Sequence, residues 1–535
     1  MLLELLSSKE GELEELFAES VIQKKKGTQK ERDIFQKEHI KKGLTTHHET
    51  PNMAERKAHY VLKCTACGAE YEDKPGEWRL RCDGEGTVHG PALLRSVFAA
   101  PDPRDCEHAD VAGTTAAFAP WLAHRSADGT VPAVLRTTSL PACYRSTHFG
   151  ARLGLRRLWV AFCGFWPERG ATLASCAFKE LEAACIAARL EGLPRGTGVV
   201  VASAGNTARA FAQIFSRPGL ARPVVIVVPA AALPALWSPA PFAPRVTLVA
   251  VAGGDYADAT RLADLLAAQA PDLLVPEGGA RNNARRDGMS LALLAAASAA
   301  AAAAEDDEDE EKDAGDETKT KNRNKPIPIP QHYFQAVGSG TGGIAAWEAA
   351  QRLVEQHKGT PPPMVTRLHL SQNAPFAPMV DAWEEGGHAR ALPAYCDSER
   401  ESKARIAEVG AFVLTNRRPP YAIGGGVHDA LRATDGTMHA VTNAEAAAAA
   451  ALFEADEGID VDPAAAVAVA HLCHAARTGL VQPDDLVVLN VTGGGKKRLF
   501  ATHTIHHLEP AVTVDAADIS PETASRIADT LRQQW

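Results

Sequence analysis

The sequence lacks an uninterrupted apolar run long enough to cross a membrane. The nearest approaches are Pro223–Trp237, broken by prolines, and the alanine tract ending at Ala304. It lacks a secretory leader pattern as well. The opening MLLELL is followed by SSKEGELEE, with no basic segment and no extended apolar one. Its acids also argue against an organellar transit peptide, so a cytoplasmic protein is expected. Cysteine is sparse, ten in 535 residues, which excludes a disulfide scaffold and fits free thiols in a reducing compartment. No excess of positive charge is present. The net charge of −10 argues against coating nucleic acid by phosphate neutralisation. Half of that charge is local, since residues 305–317 hold ten acids and one lysine and residues 318–325 add four basic residues. The remainder is nearly neutral and suits a small-molecule enzyme better than a polyanion binder.

What is present is enough apolar material, 45% of 535 residues, for two or three domains with buried cores. Residues 1–57 are charged, mixed in sign, and read as a flexible extension. Residues 295–330 run from polyalanine through EDDEDEEKDAGDE to TKTKNRNK and PIPIP. That composition predicts a disordered insertion. Between them, short β-branched runs alternate with alanine-rich helical stretches. Val199–Ala202, Val224–Val228, Val246–Val251, Leu273–Val275, Tyr333–Val337, Thr366–Leu370 and Val487–Val491 are expected as buried strands. Leu181–Leu190 and Ala208–Phe215 are expected as helices. The alternation predicts an α/β fold with parallel-rich sheets covered on both faces, whose ligands lie beyond the carboxyl ends of strands.

Four segments sit at such places. Ser175-Cys-Ala-Phe-Lys179 puts a lysine at a helix start, where the dipole disfavours its ammonium form. Ser203-Ala204-Gly205-Asn206-Thr207 follows a strand, and its backbone N–H groups suit a carboxylate. Gly338-Ser339-Gly340-Thr341-Gly342-Gly343 lies between a strand and a helix. Its glycines admit a phosphate to the backbone without matching the P-loop or dinucleotide spacing. Thr492-Gly493-Gly494-Gly495 closes another strand with a hydroxyl at its mouth. Singly, each also reads as a solvated lysine, a helix cap or a flexible turn. Jointly they supply what pyridoxal phosphate requires: a Schiff-base lysine (Lys179), a donor to the phenolate oxygen (Asn206), a phosphate cup (Gly338–Gly343) and a partner for the ring nitrogen (Thr492).

With these motifs in this order, the chain resembles the fold-type II pyridoxal phosphate enzymes, of the tryptophan synthase β-like architecture, and within them the threonine synthase family. The stretches PEGGARNNARRDGM (276–289), HYFQAVGSGTGGIAAWEA (332–349), RLHLSQNAPFAPMVDAW (367–383), NRRPPYAIGGGVHDALRATDG (416–436) and LNVTGGGKKRL (489–499) are similar to the cysteate synthase branch. The resemblance spans roughly 58–510 apart from 295–330. It implies two doubly wound α/β domains: a large one over 101–195, 276–294 and 331–535, and a small one over 196–275. It implies β-replacement of O-phospho-L-serine by sulfite to L-cysteate and phosphate, a reaction that feeds coenzyme M synthesis in methanogens. Threonine synthase and a non-catalytic binding protein are the alternatives. Lys179 is then the catalytic base, and Ser203, Ala204, Gly205 and Thr207 receive the substrate carboxylate. Arg281, Arg285 and Arg286 are candidates for the anionic groups, with Lys496 and Lys497 behind them. The partners expected are small molecules, with neither nucleic acid nor membrane, in a homo-oligomer.

Cys64-Thr-Ala-Cys67 and Cys82 lie in a segment, 58–100, that resembles a small zinc ribbon. The ribbon's fourth position, three residues beyond Cys82, is held by Glu85, with His89 as a substitute further on. The incomplete set predicts a packed hairpin without metal.

Overall fold

In the computed structural model the described residues are 59–84, 89–99, 111–125, 130–203, 205–310, 326–357, 365–384 and 390–535. The extension 1–57 and Ala204 lie outside them. Strands form where β-branched residues cluster between turn residues. In chain order they are β1 (Tyr60–Cys64), β2 (Glu70–Glu72), β3 (Leu94–Phe98), β4 (Ala142–Arg145), β5 (Leu158–Phe162), β6 (Gly198–Ala202), β7 (Val224–Pro229), β8 (Val246–Ala252), β9 (Leu274–Pro276), β10 (His332–Ala336), β11 (Arg367–Asn373), β12 (Thr437–Val441), β13 (Val487–Val491) and β14 (Val512–Asp515). The helices that matter to the site are α1 (Lys179–Leu190), α2 (Asn206–Ser216), α3 (Tyr256–Gln269), α4 (Asn283–Glu310), α5 (Thr341–Gln356), α6 (Pro463–Arg477) and α7 (Pro521–Gln534).

The large sheet runs β12-β11-β10-β13-β5-β4, parallel except for its β4 edge. The small sheet runs β9-β6-β7-β8-β14 and is parallel throughout. A three-stranded antiparallel sheet, β2-β1-β3, precedes both. Every residue of β5, β7 and β13 is buried, as expected of parallel strands covered on both faces. Each such valine or leucine contributes about 1.5–3 kcal/mol by leaving water.

All seven strands expected from the sequence are present, Val487–Val491 with the expected ends and the other six with shifted ones. Two expectations need correction. The alanine run does not belong to a disordered insertion. Residues 295–305 continue α4, with Ala296 and Ala297 fully buried, and α4 packs against α1 and α5. Alanine leaves a narrow helix that two neighbours can approach closely, and its helix propensity is the highest. This helix is long and apolar enough to cross a membrane, but two-thirds of its apolar window is buried inside the protein. The acidic remainder, 311–325, lies outside the described residues. Second, residues 512–535 serve the small sheet rather than the large domain. β14 pairs parallel with β8, and α7 packs on α3.

Candidate active site

Parallel strands aim their carboxyl ends the same way, so β10 and β13 of one sheet and β6 of the other deliver their following turns to one place. A cavity of about 160 Å³ lies there. It is lined by Lys179, Ser203, Gly205, Asn206, Thr207, Arg285, Gly338, Ser339, Gly340, Thr341, Gly342 and Thr492. The four motifs, separated by up to about three hundred residues in sequence, thus share one wall-to-wall space.

Lys179 opens α1 and projects Nζ to 3.0 Å from Glu182 Oε2, one turn along the helix. Its side chain keeps 17% of its exposure, while that of Glu182 keeps none. Burial draws the Lys179 ammonium down to about 8, with nearby Arg285 pulling the same way and Glu182 opposing. A neutral amine is therefore accessible near neutral pH. Arg285 reaches into the same cavity but is pinned by Glu277 at 2.8 Å and Glu182 at 3.3 Å, and these carboxylates hold its guanidinium charged against burial.

The opposite wall is backbone. Gly340 has φ +79°, which favours glycine, and hands over to α5 at Thr341. A Cβ on Gly338 would sit 3.0 Å from the Leu414 backbone, and one on Gly342 would fall 1.9 Å from Gln335 Nε2. The turn is thus pressed between the 412–416 segment and a buried polar group. Gln335 is itself held, its Oε1 accepting from Tyr333 Oη at 2.7 Å and from Asn490 Nδ2 at 2.9 Å. Ser339 and Thr341 hydroxyls lie 2.8 Å apart at the mouth. Asn206 is fixed at the start of α2 by Arg209, which donates to its Oδ1 at 2.7 Å, and its Nδ2 approaches Asp462 at 3.5 Å. Thr492 follows β13, and its carbonyl accepts from Phe178 N–H at 3.0 Å. That bond ties the threonine turn to the residue preceding Lys179.

Residues 163–493, more than half of the chain, match the family model described as pyridoxal-phosphate dependent enzyme. The chain belongs to this family. It is 41% identical over 465 residues to the cysteate synthase of Methanosarcina acetivorans, an alignment covering 86% of this chain and 98% of that protein. It is 42% identical over 464 residues to that of Methanoculleus marisnigri, covering 86% and 94%. To that of Methanosphaerula palustris it is 48% identical over 364 residues, covering 68% and 76%. Among solved structures, threonine synthase from Escherichia coli superposes with a TM-score of 0.46 at 15% identity, covering 71% of this chain and 79% of that one.

The residues present fit the cofactor of a pyridoxal-phosphate-dependent enzyme. A partly neutral buried amine faces a turn whose glycines leave no side chain between backbone and cavity. Of the residues expected from sequence, Gly343 stands outside the cavity, where its Cβ position meets Leu370 instead. Arg286 is also elsewhere. It is fully buried and donates to Glu348 at 3.0 Å and to the Leu94 carbonyl at 2.6 Å. Adjacent helical residues point about 100° apart, so Arg285 and Arg286 do not share a face. Arg281 lies in a short 3₁₀ turn before α4 and does not line the cavity. Lys496 and Lys497 are exposed, and Lys497 is engaged by Glu454 at 2.6 Å. The expected cationic wall thus reduces to Arg285. Sequence reasoning missed Glu182, although its spacing from Lys179 places both on one helix face, and missed Gln335 and the 412–416 rim.

Proposed function

We propose that this enzyme replaces the phosphate of O-phospho-L-serine with sulfite, giving L-cysteate and inorganic phosphate. The observation that carries the reading is the extended similarity to cysteate synthases, 41% identity across 98% of the Methanosarcina acetivorans protein. The assembled cavity supports it. When bound, pyridoxal phosphate supplies an electron sink conjugated with the substrate Cα. Lys179 is the residue that anchors it. The Gly338–Gly342 turn and the start of α5 offer N–H groups to its phosphate, Asn206 to its phenolate oxygen, and Thr492 a hydroxyl to its ring nitrogen.

The substrate carboxylate takes the backbone N–H groups of the Ser203–Thr207 turn. Lys179 Nζ, lowered to about 8 by burial, removes the proton from Cα. The Cβ–O bond then breaks and phosphate departs with the bonding pair. The sulfur lone pair of sulfite forms the new Cβ–S bond, and Lys179 returns its proton to Cα. Thr492 would offer the ring nitrogen a neutral hydroxyl, which imposes no proton there. We place the reaction in the cytoplasm, in keeping with the nine described cysteines, none of which is joined in a disulfide.

The test is product analysis with O-phosphoserine and isotope-labelled sulfite. Labelled cysteate with stoichiometric phosphate is expected. Threonine from phosphohomoserine, with no cysteate formed, overturns the reading in favour of threonine synthase. Failure of the holoenzyme to act on either substrate overturns it in favour of a binding protein.

A further inference from the structure

Far along the chain from the catalytic lysine, the β1–β2 turn and the segment after it bring together Cys64, Cys67, Cys82 and His89. One ligand atom from each lies within 4.8 Å of all the others. We propose that these four residues form a structural zinc site. Three thiolates and one imidazole are a closed tetrahedral donor set for this metal.

The geometry supports it at three levels. First, the sulfur and nitrogen atoms already converge. Cys67 Sγ and Cys82 Sγ are 3.6 Å apart, and so are Cys64 Sγ and His89 Nε2. The edge of a tetrahedron with zinc–sulfur bonds near 2.3 Å is about 3.8 Å, so these pairs need almost no movement. Second, the imidazole is set for ligation. His89 Nδ1 lies 2.7 Å from the Gly90 carbonyl. A carbonyl only accepts, so Nδ1 carries the proton and Nε2 presents its lone pair to the sulfurs. Third, the backbone forms the tight turn that metal knuckles use. Gly68, with φ +76°, directly follows Cys67, and its N–H returns to the Cys64 carbonyl at 3.0 Å. Around Cys82 the outer donors are in place, with the Tyr71 hydroxyl at 3.1 Å from Sγ and the Gly84 N–H at 3.4 Å. Both stabilise a thiolate.

On this proposal the fourth position, which the sequence leaves to Glu85 or to His89 as its substitute, is taken by His89, whose Nε2 lies 3.6 Å from Cys64 Sγ. Because four protein ligands complete the tetrahedron, the metal has no open position for a water or substrate. Its work is to hold the turn. Thr65, between the two turn cysteines, donates to the Leu93 carbonyl at 3.0 Å and to the Gly424 carbonyl at 2.8 Å. A Cβ on Gly425 would approach the Thr65 side chain to 2.7 Å. The turn thus clamps the loop that leaves the 412–416 rim of the active site.

The test uses the full-length chain, expressed with zinc in the medium and purified without chelator. Metal analysis is expected to give one zinc per chain. The cobalt-exchanged protein is expected to show the intense visible bands of tetrahedral cobalt thiolate. His89→Ala combined with Cys67→Ser is expected to lose the metal, His89→Cys to keep it, and the remote Cys473→Ser to be unaffected. Three results overturn the proposal: metal-free protein with no cobalt bands after reconstitution, zinc retained at full stoichiometry in the double variant, or a Cys67–Cys82 disulfide in protein purified under reducing conditions. None of these readouts depends on catalytic activity. If the double variant does not fold, zinc content and cobalt spectra of the parent chain decide alone.

Discussion

The two walls of the active-site cavity are built from opposite materials. One wall, at the ends of β10 and β13, is nearly all backbone: a glycine turn, a threonine, and glycines whose missing Cβ atoms are demanded by Leu414 and Gln335. The other presents Lys179 of α1 and Arg285 of α4, which two carboxylates outside the lining, Glu182 on α1 and Glu277 just after β9, join into an alternation of charge by contacts of 2.8 to 3.3 Å. The comparison separates two tasks. Rigid backbone places a group, because it has no rotamers to lose and no charge to balance. A charge chain sets a proton affinity, because each member acts on the next in a medium that screens little.

The two walls should fail differently. Lys179→Ala should have the largest effect, lowering turnover by at least about 100-fold, the scale of a lost general base. It should also abolish the borohydride-reducible adduct with the cofactor. An adduct mapped to another lysine would break the assignment. Gly342→Ala attacks the backbone wall. Its Cβ would fall 1.9 Å from Gln335 Nε2, an overpacking that costs about 1–3 kcal/mol, read as weaker cofactor retention. The pH dependence of cofactor loading should remain that of the parent. Thr492→Val keeps the shape but removes the donor and should cost about 1–3 kcal/mol of cofactor binding or transition-state stabilisation, while Thr492→Ser stays near the parent. Equal behaviour of Val and parent would make the residue merely structural.

The charge wall is sharpened by pH. Loading of apoenzyme requires the neutral Lys179 amine, so its rate should rise with pH through about 8. Glu182 stabilises the ammonium form, so Glu182→Gln should move that midpoint lower. Arg285→Met removes an opposing cation and should move it higher. Stopped-flow absorbance at the cofactor band reads both, and unchanged midpoints would dissolve the chain. Smallest of all, deleting residues 311–325 should alter neither cofactor affinity nor the loading midpoint. A fall in either, with the fold retained, would show that this segment reaches the cavity.

Much of this cavity was legible in sequence because strand ends announce themselves. β-branched runs stop, small residues follow, and the parallel arrangement gathers what comes after. Asn206, Gly338 and Thr492 are found that way, and Lys179 by its place at a helix start. The reading faltered where a property belongs to packing rather than to a local pattern. Arg285 and Arg286 look alike in sequence, and only the rotation of α4 tells that one meets Glu277 and the other Glu348. Polyalanine beside an acidic run looks like a spacer until α1 and α5 are found on either side of it. β14 is short and half-exposed, with nothing local to say which sheet it joins. His89 is named from the sequence only as a substitute for the ribbon's fourth position, because spacing does not show that its ring reaches Cys64 Sγ.

The return of residues 512–535 to the small sheet has a consequence for biogenesis. β6 to β9 span residues 198–276, yet their sheet closes only with β14, more than two hundred residues later. As the chain emerges from the ribosome, β8 presents an unpaired edge while the entire second half of the large sheet is made. The pairing that covers it has a long sequence separation, which makes it a late and slow event. The nascent small lobe therefore keeps this edge open to mispairing until residues 512–535 are made, and they act as its folding seal.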